Sequence, residues 1–391
     1  MNHVNIGKIL VGLIFGLAIL LGLFQRGQSL FGSNTSIVPF GGTSDGSLED
    51  YYNKARELAK EQKQTTEVSF LAVGDIMLSR NVADATRKSG QANLSFSKLD
   101  NLFNSVNFAF GNLETPVAQN QGTFGGHSLI FNSPQDYVKE LAAANFKIVN
   151  LANNHAMDQG LKGMQFTRKF LDDLKIQHIG TGNNLDEAWQ PAIIEQNGIK
   201  LCFIGASYSS INDNGKTTND YVARIENTER LKSEINKSKS ACNFIVATMH
   251  AGTEYVRQPN QSQIDFAHQA IDLGADIVIG AHPHWVQTLE KYNEKYIFYS
   301  LGNFIFDQEF SQDTKEGLAL KITVSQTSVS NKTISGAAML DDLQGSKIKA
   351  QIQSIELLPV IIENYSTPRL ADEKEAKKIL QKIGQPETIL K

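Results

Sequence analysis

The sequence predicts an α/β fold with a parallel or mixed sheet, and three features carry that prediction. Short apolar, strand-like segments alternate with helical segments from Val68 onward. Several of those segments, LCFIGA and IVIGA among them, are apolar throughout, as strands are when both faces are covered. Polar residues of ligand type follow the strands directly: Asp75, Glu114, Asn154-His155, His250 and His282-Pro283-His284. In open α/β sheets ligands bind beyond the carboxyl ends of the strands, so these strand ends deliver ligand-type residues to one edge.

The elements read in order as follows. Ile9 to Phe24 is an unbroken run of apolar residues and glycines, with Lys8 before it and Arg26 after it. A membrane-spanning helix needs about 20 residues, and Ile6 to Gln25 comes close to that. A cleaved signal peptide is the competing reading, with an apolar region of about 7–15 residues. The following QRGQSLFGS offers no small-residue cleavage site, so an uncleaved anchor over residues 1–26 is expected. Gly12 and Gly16 stand at the spacing of a helix-pairing motif, which a glycine-rich anchor also produces by chance. Residues 27–65 read as a linker and a short helix: Gly27 to Gly46 is rich in Gly, Ser, Thr and Asn, and Ser47-Leu-Glu-Asp50 resembles a capping box opening a helix to about Gln62.

The main domain is expected over residues 66–362. It opens with the strand VSFLAVGD, where Gly74 suits a sharp exit before Asp75. After a helical stretch come VNFAFGNLE, a helix from about Gln135 to Ala144, the strand FKIVNLANNH and a helix from about Gly160 to Leu174. HIGTG, AIIEQNG, KLCFIGAS and NFIVATMH follow, then a helix from Gln261 to Leu273, DIVIGAHPH and YIFYSLGNFIF. Leu318 to Val324 and Lys347 to Leu358 read as strands that extend or cover the sheet, with SQTSVSNKT as a hairpin loop. Residues 363–391 read as a tail with a surface helix within Ala371 to Ile383.

Composition narrows the function classes. Hydrophobic residues make up 41% and charged residues 20%, as in ordinary globular proteins. A formal net charge of -4 without a basic stripe speaks against nucleic acid as a partner. The two cysteines, Cys202 and Cys242, sit in apolar, strand-like runs. Two buried free thiols are expected, with a disulfide as the alternative; no C-x-x-C zinc knuckle exists. Ser210 to Thr217 approaches a phosphate-binding loop but lacks its first glycine, and reads as an Asn-Gly loop.

Each strand-end residue has a plain reading beside a chemical one. His282 and His284 are either surface loop histidines or two imidazoles addressing one or two metal ions. His250 is either a satisfied core histidine or a ligand. Asn154-His155 either caps a helix or offers an amide oxygen and a general acid whose tautomer Asp158 holds. Asp75 and Glu114 are either caps or carboxylate ligands. Together they provide two carboxylates, one amide and three imidazoles, the mixture with which a dinuclear hydrolase clamps phosphate oxygens.

The order GD, GNLE, NNH, H, GAHPH resembles that of the calcineurin-like metallophosphoesterase superfamily. VGDIMLSR, GNLETPV, NLANNHAMDQG, HAGTEY, GADIVIGAHPHWVQ and YSLGNFIFDQ resemble more closely its CapA branch, the poly-γ-glutamate capsule biosynthesis proteins, over roughly Ser69 to Phe306. The resemblance implies a four-layer α/β/β/α sandwich, an N-terminal transmembrane helix and a single-pass protein in the cell membrane with its main domain outside the cytoplasm. It implies a divalent metal (manganese, iron or zinc, as one or two ions) held by Asp75, Glu114, Asn154, His250, His282 and His284. Glu114 would bridge; Asn154, His250 and His282 would serve one position, and Asp75 and His284 the other. His155 and Asp158 would be the acid pair, Glu254 and Tyr255 would line the pocket, and Arg80 would meet an anionic group. Two positions depart from the ordinary phosphoesterase pattern: Met77 stands where D-x-H has histidine, and Glu114 stands for an aspartate. Thioether is a poor ligand for a hard metal, so one metal position is expected to be short of ligands. Three functions fit. One is a part in synthesis or export of an anionic capsule polymer, poly-γ-glutamate, beside other capsule-synthesis membrane proteins. A second is a metal-dependent phosphoesterase acting on a phosphorylated cell-envelope substrate. The third is a metal-free module binding carboxylate or sugar.

Overall fold

In a computed structural model, residues 63–119, 128–210, 220–329, 348–385 and 387–390 are described. The chain begins with β1 (Lys63–Ile76), α1 (Arg80–Ser89), α2 (Asp100–Asn104), β2 (Phe108–Leu113), α3 (Gln135–Ala143), β3 (Phe146–Asn150), α4 (Gly160–Asp173) and β4 (Gln177–Ile179). It continues with α5 (Leu185–Trp189), β5 (Ala192–Gln196), β6 (Ile199–Ser207), α6 (Thr228–Ala241), β7 (Phe244–His250), α7 (Gln261–Leu273) and β8 (Ile277–Ala281). It closes with β9 (Leu289–Tyr292), β10 (Lys295–Phe298), β11 (Asn303–Ile305), β12 (Glu316–Val329), β13 (Gln351–Glu363), β14 (Thr367–Leu370), α8 (Glu373–Lys382) and β15 (Ile389–Leu390).

These strands form two sheets. One has nine strands in the order β14-β13-β12-β1-β2-β3-β4, with β11 on β1 and β15 on β13. The other has six, in the order β5-β6-β7-β8-β10-β9. The expected mixture holds: β1, β2, β3 and β4 run parallel, while β12 and β13 return antiparallel.

Side-chain alternation sorts the apolar strands into layers. Phe70, Ala72, Phe108, Phe110 and Leu320 of the first sheet meet Leu201, Phe203, Val246 and Ile279 of the second in one core. The opposite face of the first sheet, with Leu71, Val73 and Val149, packs under Val82, Val138 and Leu171 of α1, α3 and α4. The opposite face of the second, with Ile204, Ala247 and Val278, packs under Leu231, Ile235 and Phe266 of α6 and α7. Three apolar cores thus separate helix, sheet, sheet and helix layers.

Several findings differ from the reading of the sequence: α6 was not expected, Ser325 to Val329 continue β12 where a hairpin loop was expected, and residues 63–65 begin β1 where the linker region was expected. The cysteines are not free thiols: Cys202 and Cys242 form a disulfide with Cα atoms 5.7 Å apart, tying β6 to the start of β7. Apolar flanks fit a buried thiol and a buried disulfide equally well, so they could not decide. Gly74 does not end a strand, because β1 continues to Ile76. A side chain there would meet the Gly302 carbonyl oxygen at 1.9 Å, so glycine permits the close approach of β1 to the chain leading into β11. The stretch from residue 363 carries the expected helix, but β14 and β15 on either side pair with β13, and Leu380 and Leu390 enter the central core.

The anchor, its GxxxG spacing, the linker over 27–46 and the helix to Gln62 lie outside the described residues, as do most of the Asn-Gly loop and residues 330–333 of the SQTSVSNKT segment. Among the described residues no helix is long and apolar enough to cross a membrane.

Candidate metal centre

Asp75 sits within β1, flanked by Asn112 of β2 on one side and Asn303 of β11 on the other. Glu114 follows β2, His250 ends β7, and His282 and His284 leave β8. All five side chains are buried. They form two overlapping groups whose ligand atoms lie within 4.8 Å of one another: Glu114, His250 and His282 in one, Asp75, Glu114 and His284 in the other. Glu114 belongs to both, and Asn154 joins the first through its Oδ1, 2.7 Å from His250 Nε2.

The electrostatics of this cluster fit a cation. Neither Glu114 oxygen receives a hydrogen bond from a donor group. Its close neighbour is another carboxylate, Asp75, which could bond it only by sharing a proton. Burial first, then the charge of Asp75, pushes the Glu114 carboxyl well above the usual carboxylate range. Burial also pushes His250 and His282 well below the usual imidazole value, helped by the neighbouring histidines, which leaves neutral rings ready to act as ligands. His282 Nδ1 is buried with no partner. Unpaired buried polar atoms are costly. A divalent metal would satisfy the orphaned carboxylate and imidazole together, so the donor set is compatible with one.

The supporting contacts come largely from residues that sequence reasoning passed over. Asn112 Nδ2 donates to Asp75 Oδ1 at 2.8 Å and stands 3.0 Å from His250 Nδ1. Asn150 Nδ2 donates to Asn112 Oδ1 at 3.0 Å, which fixes the orientation of that amide. Asn303 Nδ2 donates to Gln308 Oε1 and to the Thr314 carbonyl, so its Oδ1 is left to accept from His284 Nδ1 at 2.9 Å. In a neutral ring that bond selects the tautomer whose Nε2 carries the free lone pair. The only signal for Asn112 and Asn303 was a polar amide inside an otherwise apolar strand segment. His282 and His284 adopt positive φ of 103° and 57°, and the His282 N–H donates to Asp75 Oδ2 at 3.2 Å across the sheet interface. Backbone in such regions is strained by about 1–3 kcal/mol per residue. Met77 is fully buried and its sulfur accepts from the Ser79 N–H, which keeps it out of the ligand set.

The remaining expected residues surround the cluster. His155 Nδ1 stands 2.7 Å from Asp158 Oδ2, which also accepts the Phe131 N–H, and His155 Nε2 is 3.8 Å from Glu114 Oε1. The Phe131 ring stacks on His155 with centroids 3.8 Å apart. Arg80 is not free to meet a ligand with its whole guanidinium: it pairs with Asp307, donates to the Ser128 carbonyl and lies over the rings of Phe131 and Phe306. Glu254 is exposed, and Tyr255 stacks near His284 with centroids 6.0 Å apart. Tyr208, absent from the expected set, tilts over His282 at 4.7 Å, and burial with the nearby Glu114 raises its phenol to about 12. It therefore stays a hydrogen-bond donor at any ordinary pH.

The fold and the cluster define an α/β sandwich with a metal-compatible group of carboxylates and imidazoles where its two sheets meet. The chain belongs to the family described as bacterial capsule synthesis protein PGA_cap, whose profile matches residues 69–308. It is 32% identical over 250 residues to the PGA biosynthesis protein CapA of Bacillus subtilis, covering 63% of this chain and 65% of that one. It is 28% identical over 265 residues to the capsule biosynthesis protein CapA of Bacillus anthracis, covering 66% and 64%. The matches thus span a little under two thirds of those relatives. Among solved structures, the calcineurin-like phosphoesterase YfkN of Bacillus subtilis is similar with a TM-score of 0.45 and 13% identity, covering 82% of this chain and 97% of that one. At that distance nothing about activity carries over.

Proposed function

We propose that this chain is a membrane-anchored protein acting in synthesis or export of an anionic capsule polymer, poly-γ-glutamate, through a metal site at the strand ends. The observation that carries the metal site is the pair of ligand groups sharing Glu114, whose two oxygens lack any donor. The polymer is suggested by the relatives that the chain resembles, which bear the names of PGA and capsule biosynthesis proteins. The apolar run from Ile9 to Phe24 supports the anchor, and the Cys202–Cys242 disulfide supports a domain outside the reducing cytoplasm. Other capsule-synthesis membrane proteins are the expected partners.

Asp75, Glu114, Asn154, His250, His282 and His284 would hold manganese, iron or zinc, as one or two ions. A bound ion supplies polarisation of a substrate oxygen and an acidified water. The protein's own residues do the rest. Asn112 and Asn303 orient imidazoles, Tyr208 offers a hydroxyl donor, and His155, steadied by Asp158 and Phe131, turns its Nε2 toward Glu114. The test is complementation of a deletion strain with the His282→Ala, His284→Ala double variant. Polymer output should fall to the level of the deletion; output equal to the unsubstituted gene overturns the proposal.

A second reading, a phosphoesterase acting on an envelope substrate, is favoured by the His155–Asp158 pair. It requires manganese-dependent hydrolysis of a generic phosphodiester that His250→Ala abolishes. Hydrolysis unchanged by that substitution rules it out.

A further inference from the structure

Among the described residues nine large apolar side chains are exposed, and five of them crowd one end of the domain. They are Leu129 at 78%, Phe310 at 68%, Ile130 at 48%, Tyr365 at 43% and Val256 at 40%. The other four are scattered over β5, β14, β15 and the approach to β13. A single exposed leucine is ordinary; a concentration of apolar tips is not.

The five sit on loops that contacts join into one rim. Ser128, beside Leu129, accepts from Arg80, and Arg80 pairs with Asp307. Phe131 meets Phe306 with ring centroids 6.0 Å apart. Phe310 meets Tyr255, the neighbour of Val256, edge-on at 5.2 Å. The Tyr365 N–H donates to Glu309, the neighbour of Phe310, at 2.6 Å. The same loops border the metal centre, since Phe131 stacks on His155 and Tyr255 lies against His284. Their backbones are therefore fastened at the base while their apolar tips point to solvent.

We propose that this end of the domain docks on a lipid bilayer, with the apolar tips seated among headgroups and upper acyl chains and the metal centre beneath them at the membrane surface. Separate tips on separate loops suit insertion into a soft phase better than a groove in a rigid partner. The length of chain before the domain allows it. Between Phe24, the end of the apolar run, and Lys63, the start of β1, lie residues 25–62. Fully extended, that stretch spans about 125 Å, whereas β1, whose far end carries Asp75, spans about 43 Å. The end of the domain that carries Asp75 can thus reach the bilayer that holds the anchor. The inference rests on the anchor reading, and the experiment separates the two.

The full chain carrying Phe310→Trp is reconstituted in phosphatidylcholine vesicles with brominated acyl chains. Ile193→Trp on β5 and the unsubstituted chain, with its Trp189 and Trp285, serve as references. Flotation with the vesicles reports the anchor, and bromine quenching of the added tryptophan reports docking. Docking predicts strong quenching of Phe310→Trp, little quenching of Ile193→Trp, and loss of the former when Leu129→Asp and Val256→Asp are added. Chains that float with Phe310→Trp quenched no more than Ile193→Trp overturn the docking and leave the anchor standing. Chains that neither float nor show quenching overturn both.

Discussion

The two sheets contribute to the centre in different chemical currencies. The nine-stranded sheet brings oxygen: Asp75 from β1, Glu114 after β2 and Asn154 after β3. The six-stranded sheet brings nitrogen: His250 from the end of β7, and His282 and His284 from the turn after β8. The oxygen side is braced by amides of its own sheet, with Asn112 on Asp75 and Asn150 on Asn112. The imidazoles are steered from across the interface: Asn112 meets His250, and Asn303 meets His284. Ligand placement thus depends on how the sheets pack, and the first sheet orients what the second supplies.

The sharpest way to break this arrangement is to remove two of the three imidazoles on the nitrogen side. The His282→Ala, His284→Ala double variant should keep the fold, because both residues lie outside the strands, yet lose all stoichiometric metal on elemental analysis. Metal retained in the double variant would mean that the oxygen side together with His250 suffices. The next effect concerns the disulfide that ties β6 to the start of β7. Cys202 and Cys242 are 40 residues apart, and closing a loop of that size stabilises by about 4 kcal/mol in the chain-entropy account. Cys202→Ser with Cys242→Ser should lose most of that in denaturant unfolding while still binding metal. A matching loss of metal would show that the tether also positions His250.

How much of this was legible in the sequence differs between the sheets. Most of the strands, the helices α3, α4 and α7 and the five charged or imidazole members of the cluster could be read, because apolar runs ending in a ligand-type residue are a local signal; the 14-residue α6 was not read. Asn112 and Asn303 were not read as part of the site. Each acts through a partner on another strand, and an asparagine in FAFGNL or GNFI carries no mark of that. The role of Gly74 was misread for the same reason, since it answers to Gly302, which is remote in sequence. The pairing of Cys202 with Cys242 depended on strand register, and Arg80 looked available because Asp307 lies so far along the chain.

The oxygen side can be tested by its charge. In the metal-free fold Glu114 is buried, with its carboxyl raised well above the usual 4.5. A raised carboxyl binds its proton more tightly in the folded than in the unfolded state, so its contribution falls as pH rises from about 4.5 toward the folded value. His250 and His282, lowered from 6.5, act in the opposite sense and lose stability as pH falls below that value. Comparison with Glu114→Gln isolates the first effect. Without metal, the variant should be more stable than the unsubstituted protein by about 1–3 kcal/mol at pH 8, with the difference shrinking at pH 5. A difference that does not change with pH would show that Glu114 is already neutral or solvated in the metal-free fold.

The smallest effect is the most specific to the cross-sheet idea. The Asn303 Oδ1 is taken up by His284 Nδ1 and so presents the Nε2 of that ring. Outer contacts of this kind are worth about 10–100-fold in metal affinity. Asn303→Ala should therefore weaken metal binding by about that factor in competition with a chelator. Asn303→Asp, which keeps an acceptor oxygen facing Nδ1, should recover much of the loss. Rescue by aspartate distinguishes orientation of the imidazole from simple packing, because a packing role would leave the charged variant at least as impaired as alanine. If both variants bind as tightly as the unsubstituted protein, His284 is placed by its own turn, and the first sheet does not steer the second.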